Sequence, residues 1–153
     1  MSGEPGWLND EEMRAWRAYV VATHLLDAQL NRELQDEHEL ALADYELLVR
    51  LSEAPCGQER MSTLAEQVAS SKSRVSHQIG RMEKAGLVRR QECPADRRGV
   101  FAVLTSHGWN VLRKAAPTHV RGVRDHLVDL LSVEERLVLA GIFERVADHL
   151  RGQ

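Results

Sequence analysis

Two short helical patterns joined by a tight polar turn, over Leu64–Arg90, constrain this chain more than any other stretch. Thr63 and Glu66 stand at capping-box spacing, so Ser62 or Thr63 is expected to cap the first helix. Val68-Ala69-Ser70-Ser71 ends it, and Ser70 or Ser71 can cap the second by accepting a bond from an orphan amide. The second helix is expected to run to about Ala85 and stop at Gly86, which tolerates a left-handed helix end.

The second helix divides into two stripes. Val75, Ile79 and Met82 follow the i, i+4, i+7 spacing of a buried face. Arg74, His77, Gln78 and Arg81 follow i, i+3, i+4, i+7 on the other side, with Lys72 and Ser73 at its start. A solvated helix face has the same pattern, but acidic partners are expected to be absent from this face, since Glu83 and Glu66 lie elsewhere. Two such helices with Arg, Gln, His and Ser outward suit the DNA major groove, where Arg pairs with guanine and Gln with adenine.

The next residues extend the pattern. Leu87–Glu92 reads as a strand, Cys93-Pro94-Ala95-Asp96-Arg97-Arg98-Gly99 as a turn, and Val100–Leu104 as a second strand. Pro94, Asp96 and Gly99 supply hairpin chemistry over a loop longer than the two-residue kind. A helix-turn-helix followed by a basic-tipped hairpin is a winged helix, and Arg97 and Arg98 at its tip can enter a minor groove or bind phosphates.

At these residues the chain resembles the MarR family of bacterial transcriptional regulators. The resemblance is carried by the Asp96-Arg97-Arg98-Gly99 wing, the Leu104-Thr105 strand exit with Gly108 following, and the helix ending Met82-Glu83-Lys84-Ala85-Gly86-Leu87-Val88. Length and helix order fit over nearly the whole chain.

Charge distribution agrees. The net charge of the 153 residues is −3, yet between Arg60 and Gly99 nine basic residues face four acidic ones, so that segment carries +5 and the remainder −8. A basic module in an acidic body fits directed rather than indiscriminate attraction to DNA. Apolar content of 43% supports a core, and aromatics at 5% leave its packing to aliphatic side chains. The N-terminus lacks the basic start and apolar centre of a signal peptide, and no apolar run approaches the roughly 20 residues that cross a bilayer. The expected location is cytoplasmic, with Cys56 and Cys93 reduced.

Along the chain, residues 1–6 read as a disordered tail. Asn9 and Glu12 have capping-box spacing ahead of a long helix from about Asp10 to Gln35, whose apolar positions are Trp16, Tyr19, Val20, Thr23, Leu26, Leu30 and Leu34. Asp36–Glu39 reads as a polar break. A helix follows over Ala43–Ser52, with Asp44 complementing its dipole and Ala41 where relatives place a Ser or Thr cap. A loop then leads to Met61. After the wing, Ser106 is expected to cap a helix from His107 to about Leu131, kinked at Pro117. Ser132-Val133-Glu134-Glu135 is a capping box for a last helix to about Leu150, striped by Leu139, Ile142, Phe143, Val146 and Leu150.

The expected fold is mainly α with a small β-hairpin wing. A winged helix-turn-helix occupies 39–105, and long N- and C-terminal dimerisation helices occupy 1–38 and 106–153. The resemblance implies that the terminal helices pair two subunits, through Leu8, Leu127, Leu131, Leu139, Phe143 and Val146; packing within one chain is the alternative. A two-fold dimer would place its recognition helices roughly 34–36 Å apart on a near-palindromic double-stranded operator. Arg74, Gln78 and Arg81, helped by His77, are the expected base readers; Ser62, Thr63, Ser71, Lys72 and Ser73 the phosphate holders; Arg97 and Arg98 the wing anchors, with Asp96 orienting one of them.

The resemblance further implies a small aromatic or anionic effector bound between the dimer helices and the winged helix. Trp16, Tyr19, Thr23 and Tyr45 are candidates by position, with Arg17 or His107 meeting an anion; core packing is the alternative for Trp16 and Tyr19. Cys93, near Arg90 and the wing arginines, raises thiol-based redox sensing as a rival reading. Peroxide-sensing relatives, however, use a cysteine early in the first helix, which has none here. A winged-helix protein-interaction module without DNA binding is a second rival. His119 and His126 with Asp125 and Asp129 are the nearest approach to a metal set, and solvated side chains account for them, so neither metal nor cofactor is expected. No phosphate-cradling glycine loop, His-Glu-x-x-His or serine elbow is present, which argues against an enzyme.

Overall fold

The structure, a computed structural model, describes residues 6–93 and 96–153, without the side chains of residues 93–98. Its elements are α1 (Asp10–His38), α2 (Leu42–Glu53), β1 (Gln58–Arg60), α3 (Met61–Gln67), α4 (Lys72–Lys84), β2 (Val88–Cys93), β3 (Asp96–Leu104), α5 (Ser106–His126) and α6 (Val133–Arg151). The strands form one antiparallel sheet in the order β1-β3-β2. The chain divides into two compact units, Asn31–Val120 and the segments up to Leu30 and from Arg121 onward.

Within Asn31–Val120, aliphatic side chains build the core, as the low aromatic content requires. Leu34, Leu47, Leu48, Leu51, Leu64, Val75, Ile79 and Val88 are all fully buried, each burial stabilising the fold by about 1.5–3 kcal/mol. Ala41 supplies no side-chain cap to α2, and Asn31 Oδ1 instead accepts from the Leu42 amide at 2.9 Å. α1 continues through the expected polar break because those residues are held: the buried Thr118 hydroxyl donates to Glu37 Oε2 at 2.7 Å, and His38 Nε2 lies 2.7 Å from Thr118 Oγ1. The Thr118 proton is spent on the carboxylate, so His38 is the donor in that second bond. Glu39, with φ 52°, ends the helix.

The expected loop before Met61 contains β1. Its residues pair with Val103, Ala102 and Phe101 of β3, an assignment that Gln-Glu-Arg, without apolar alternation, could not signal. Because Arg60 is still paired with Phe101, α3 starts directly at Met61, and Arg60 at its N-cap position makes no side-chain cap. Ser62 and Thr63 lie inside the first turn, half-buried, so the Thr63–Glu66 capping box is not formed. The cap of α5 likewise falls one residue earlier than expected. Thr105 Oγ1 accepts from the Gly108 amide at 3.0 Å and donates to the Gly86 carbonyl at 2.5 Å, joining the ends of α4 and β3, and Ser106 is the first helical residue.

In the other unit, Asn9 and Glu12 form their reciprocal cap at 2.9 and 2.8 Å. α5 passes through Pro117 and ends at His126 rather than Leu131. A 3₁₀ turn, Val128–Leu130, follows, held by Arg124–Asp129 at 3.0 Å and by Arg136 Nε donating to the Val128 carbonyl at 3.0 Å. Ser132 and Glu135 complete the capping box of α6, and these bonds hold the Glu135 carboxyl below its ordinary value. α6 has no buried residue.

Gly108 is the tightest backbone approach: a Cβ there would lie 2.1 Å from the Leu87 carbonyl oxygen. Gly108→Ala must therefore push α5 off the start of β2, and a loss of about 1–3 kcal/mol or more is expected. Urea unfolding of both proteins measures it, and an unchanged midpoint would mean that this junction yields freely.

Candidate nucleic-acid interface

α3, the turn after it and α4 place one set of polar side chains outward. Ala69, at φ 50°, turns the chain, and the Ser71 side chain caps α4 by accepting from the Arg74 amide at 3.1 Å. At the far end, Leu87 N–H donates to the Met82 carbonyl and Gly86 N–H to the Glu83 carbonyl, both at 3.0 Å, with Gly86 at φ 78°. This is the paired closure that a glycine after a helix permits. Val75, Ile79 and Met82 are buried, which fixes the rotation of the helix. Arg74, His77 and Arg81 are therefore exposed and Gln78 half-buried, with Lys72 and Ser73 exposed at the start.

An acidic partner for that face comes from another helix. Asp44, on α2, accepts a 2.8 Å hydrogen bond from Gln78 Nε2 and stands 3.9 Å from an Arg81 guanidinium nitrogen. The Asp44 side chain is 15% exposed and the Arg81 side chain 68%. The expectation that acidic partners are absent from this face is thereby overturned, because α2 supplies the acid that α4 lacks. A residue 34 positions upstream gives no sequence signal of such a contact.

Two further basic residues join the interface that helical periodicity did not single out. Arg90, on β2, donates from Nη2 to the Ser76 carbonyl at 2.7 Å, while its amide donates to Glu83 Oε2 at 3.1 Å, bracing α4 against the sheet. Arg60 lies over the Phe101 ring, 5.7 Å from its centroid. With Ser62, Lys72 and Ser76 these two arginines line a concavity of about 390 Å³ between the helices and the wing strands. Its three cations and two hydroxyls have the chemistry of a phosphate seat. Both arginines were visible in the basic segment only as charge.

The wing is longer than expected: β2 and β3 pair as far as Cys93–Asp96, with a register shift at Glu92/Cys93. The side chains of Asp96, Arg97, Arg98 and Cys93, on which the wing-anchor and redox expectations fall, lie outside the described residues, as do residues 1–5 of the tail expected over 1–6.

The effector candidates fall into two sets. Trp16 and Tyr19 stack at 5.8 Å, and Tyr19 stacks on Phe143 at 5.3 Å. Tyr19, Thr23, His126, Leu127, Leu139 and Phe143 are among the residues lining an apolar cleft of about 440 Å³. Thr23 spends its hydroxyl on the Tyr19 and Val20 carbonyls, and Arg17 is exposed. In the other unit, Tyr45 packs on His119 with ring centroids 4.5 Å apart, in a cleft of about 560 Å³ shared with Glu46, Val49 and Arg50, while His107 stands beside Gly86. Burial raises the Tyr45 pKa. Cys56 is exposed and free, at φ 58°. Among the described residues no group of three or more His, Cys, Asp or Glu side chains can hold a metal ion, and no helix is long and apolar enough to cross a membrane.

Comparison with known proteins decides the lineage. Residues 40–100 match the model of the MarR family. The transcriptional regulator HosA of Escherichia coli O111:H- is 34% identical over 109 residues, covering 71% of this chain and 76% of its own. The MarR family transcriptional regulator AbsC from Streptomyces coelicolor has a similar structure, with a TM-score of 0.93 and 50% identity over 97% of this chain and all of its own. This chain belongs to the MarR family. A second MarR family regulator from that organism, Sco3205, solved in complex with DNA, superposes with a TM-score of 0.93 at 44% identity, covering 97% of this chain and 93% of its own. The protein is accordingly a winged-helix transcriptional regulator and not an enzyme.

This MarR-family regulator also carries a pH-sensitive group in the unit Asn31–Val120. Burial lowers the His119 pKa, the Glu33 carboxylate opposes that shift, and among the described residues His119 Nδ1 is a buried nitrogen without a hydrogen-bond partner. With its folded pKa below the unfolded value, His119 favours the fold above the ordinary histidine range, and stability is lost as pH falls through it because the unfolded chain binds the proton more tightly. His119→Phe keeps a ring against Tyr45 and should lose less melting temperature than the parent between about pH 7.5 and about pH 5.5. Equal losses in both proteins would remove His119 as the cause.

Proposed function

We propose that this regulator binds a near-palindromic double-stranded operator sequence-specifically as a homodimer, and represses transcription until a small aromatic or anionic ligand releases it. The observation that carries the reading is the anchored rotation of α4: Val75, Ile79 and Met82 are buried while Arg74, His77 and Arg81 project outward. On this reading Arg74, Gln78 and Arg81 meet base edges with His77 beside them. Lys72, Ser73, Ser71, Ser62 and Thr63 lie along the phosphates, joined by Arg60 and Arg90, and Arg97 and Arg98 anchor the wing with Asp96 orienting one of them.

Dimerisation is supported by α6, which has no fully buried residue and exposes Leu137, Ile142, Phe143, Val146 and Leu150. An exposed apolar face of this extent marks an interaction surface. Leu8 is exposed, and Leu127, Leu131 and Leu139 are half-buried, as partial intrachain cover leaves them. Ligand release is supported by the apolar cleft that Tyr19, Thr23 and Phe143 help to line, since apolar walls with a few polar groups suit an aromatic molecule. The winged-helix units would form the DNA-binding domain over 39–105, and the flanking helices the dimerisation region.

Arg81→Ala is expected to cost about 1–3 kcal/mol of operator binding and to relax preference at one base pair, measured on an operator selected from a random DNA pool. Uniform weakening on every operator variant would make Arg81 a phosphate contact instead. Arg98→Ala should weaken binding to all sequences and flatten its salt dependence; identical slopes would remove the wing from the contact surface. Val146→Glu should shift the protein from dimer to monomer in sedimentation, and a persisting dimer would move the interface off α6.

A further inference from the structure

We propose that Asp44 is a specificity-determining positioning residue: by holding one end of the Gln78 amide, it dictates which end the reading helix presents to the base. The inference rests on the reading of α4 as the base-contacting helix and goes beyond it to the orientation of one side chain. A carboxylate offers acceptors only, so the amide end facing Asp44 Oδ1 at 2.8 Å must be the NH₂ group. Gln78 Oε1 and the second N–H are thereby left for an outside partner.

That pair matches adenine, whose major-groove edge offers an N6 donor and an N7 acceptor. Guanine presents two acceptors there and thymine an acceptor beside a methyl group. A free glutamine amide could turn its whole NH₂ toward either, whereas a held one has a single N–H to give and sets Oε1 against their acceptors unless it leaves Asp44. The same carboxylate lies 3.9 Å from an Arg81 guanidinium nitrogen, so a single buried-side acid restrains two of the three proposed base readers. The position argues against a role in fold stability alone. A negative charge beneath a DNA-facing surface opposes binding through its repulsion of phosphates, and the Asp44 side chain makes no bond that caps α2, whose Leu42 amide is served by Asn31.

The test uses the full-length protein and an operator selected from a random pool, with each base pair then varied in turn. The parent should prefer adenine over guanine and thymine at one base pair per half-site by about fivefold or more. Gln78→Ala should abolish that preference. Asp44→Asn has the same shape but offers either an acceptor or a donor to Gln78, and it should reduce the preference below about twofold while leaving the melting temperature near that of the parent. Asp44→Ser, too short to reach the amide, should do the same, which covers the case of a poorly folded Asn variant. Gln78→Ala combined with Asp44→Asn should discriminate no worse than Gln78→Ala alone, as expected of residues acting as one unit. If Gln78→Ala keeps every preference, the base-reading role of Gln78 falls and this inference with it. If Gln78→Ala loses the preference but both Asp44 variants keep it and bind all sequences more tightly, Asp44 acts only as a charge and the inference alone is overturned.

Discussion

Burial of Val75, Ile79 and Met82, on a helix that packs against α3 and β2, is the constraint on which the interface depends. A helix presents a different set of side chains for every 100° of rotation, and three apolar residues on one face allow one rotation without exposing them. The polar stripe is therefore a consequence of the core. The closure at Gly86 and the bonds from Thr105 to Gly86 and Gly108 extend the same restraint to the sheet. Arg90 completes it by tying β2 to the Ser76 carbonyl.

Electrostatics is arranged locally rather than by net charge. The protein is acidic overall, but the segment from Arg60 to Gly99 is basic, and two acids take specific places beside it among the described residues: Asp44 bonds Gln78 and lies near Arg81, and Glu83 accepts from the Arg90 amide. The Asp44 contacts restrain two long side chains, Gln78 and Arg81, so that less rotamer freedom is left to lose on binding a partner. Exposed ion pairs contribute little to stability, so their consequence lies in the geometry they impose.

The two units differ in how they satisfy their apolar surface. Asn31–Val120 buries its own aliphatic core, whereas α6 and the N-terminal part of α1 leave Trp16, Tyr19, Leu25, Leu137 and Ile142 exposed. Aromatic stacking of Trp16, Tyr19 and Phe143 covers part of that surface and shapes the apolar cleft beside it. A surface of this kind accommodates both another helix and a flat ring, because neither requires more than a few directed polar contacts.

Periodicity and local capping made much of this legible in advance. The buried and outward stripes of α4, the caps at Asn9 and Ser132, the turn at Ser71 and the glycine stop at Gly86 are set by residues within four positions of one another, so the sequence alone determined them. Tertiary structure alone decided what depends on distant partners. β1 exists because β3 pairs with it, α1 extends to His38 where Thr118 holds its last turn, and α3 loses its serine cap because the strand before it runs straight into the helix. Asp44 meets Gln78 for the same reason: the packing of α2 beside α4 brings together residues 34 positions apart, and no local pattern encodes that approach.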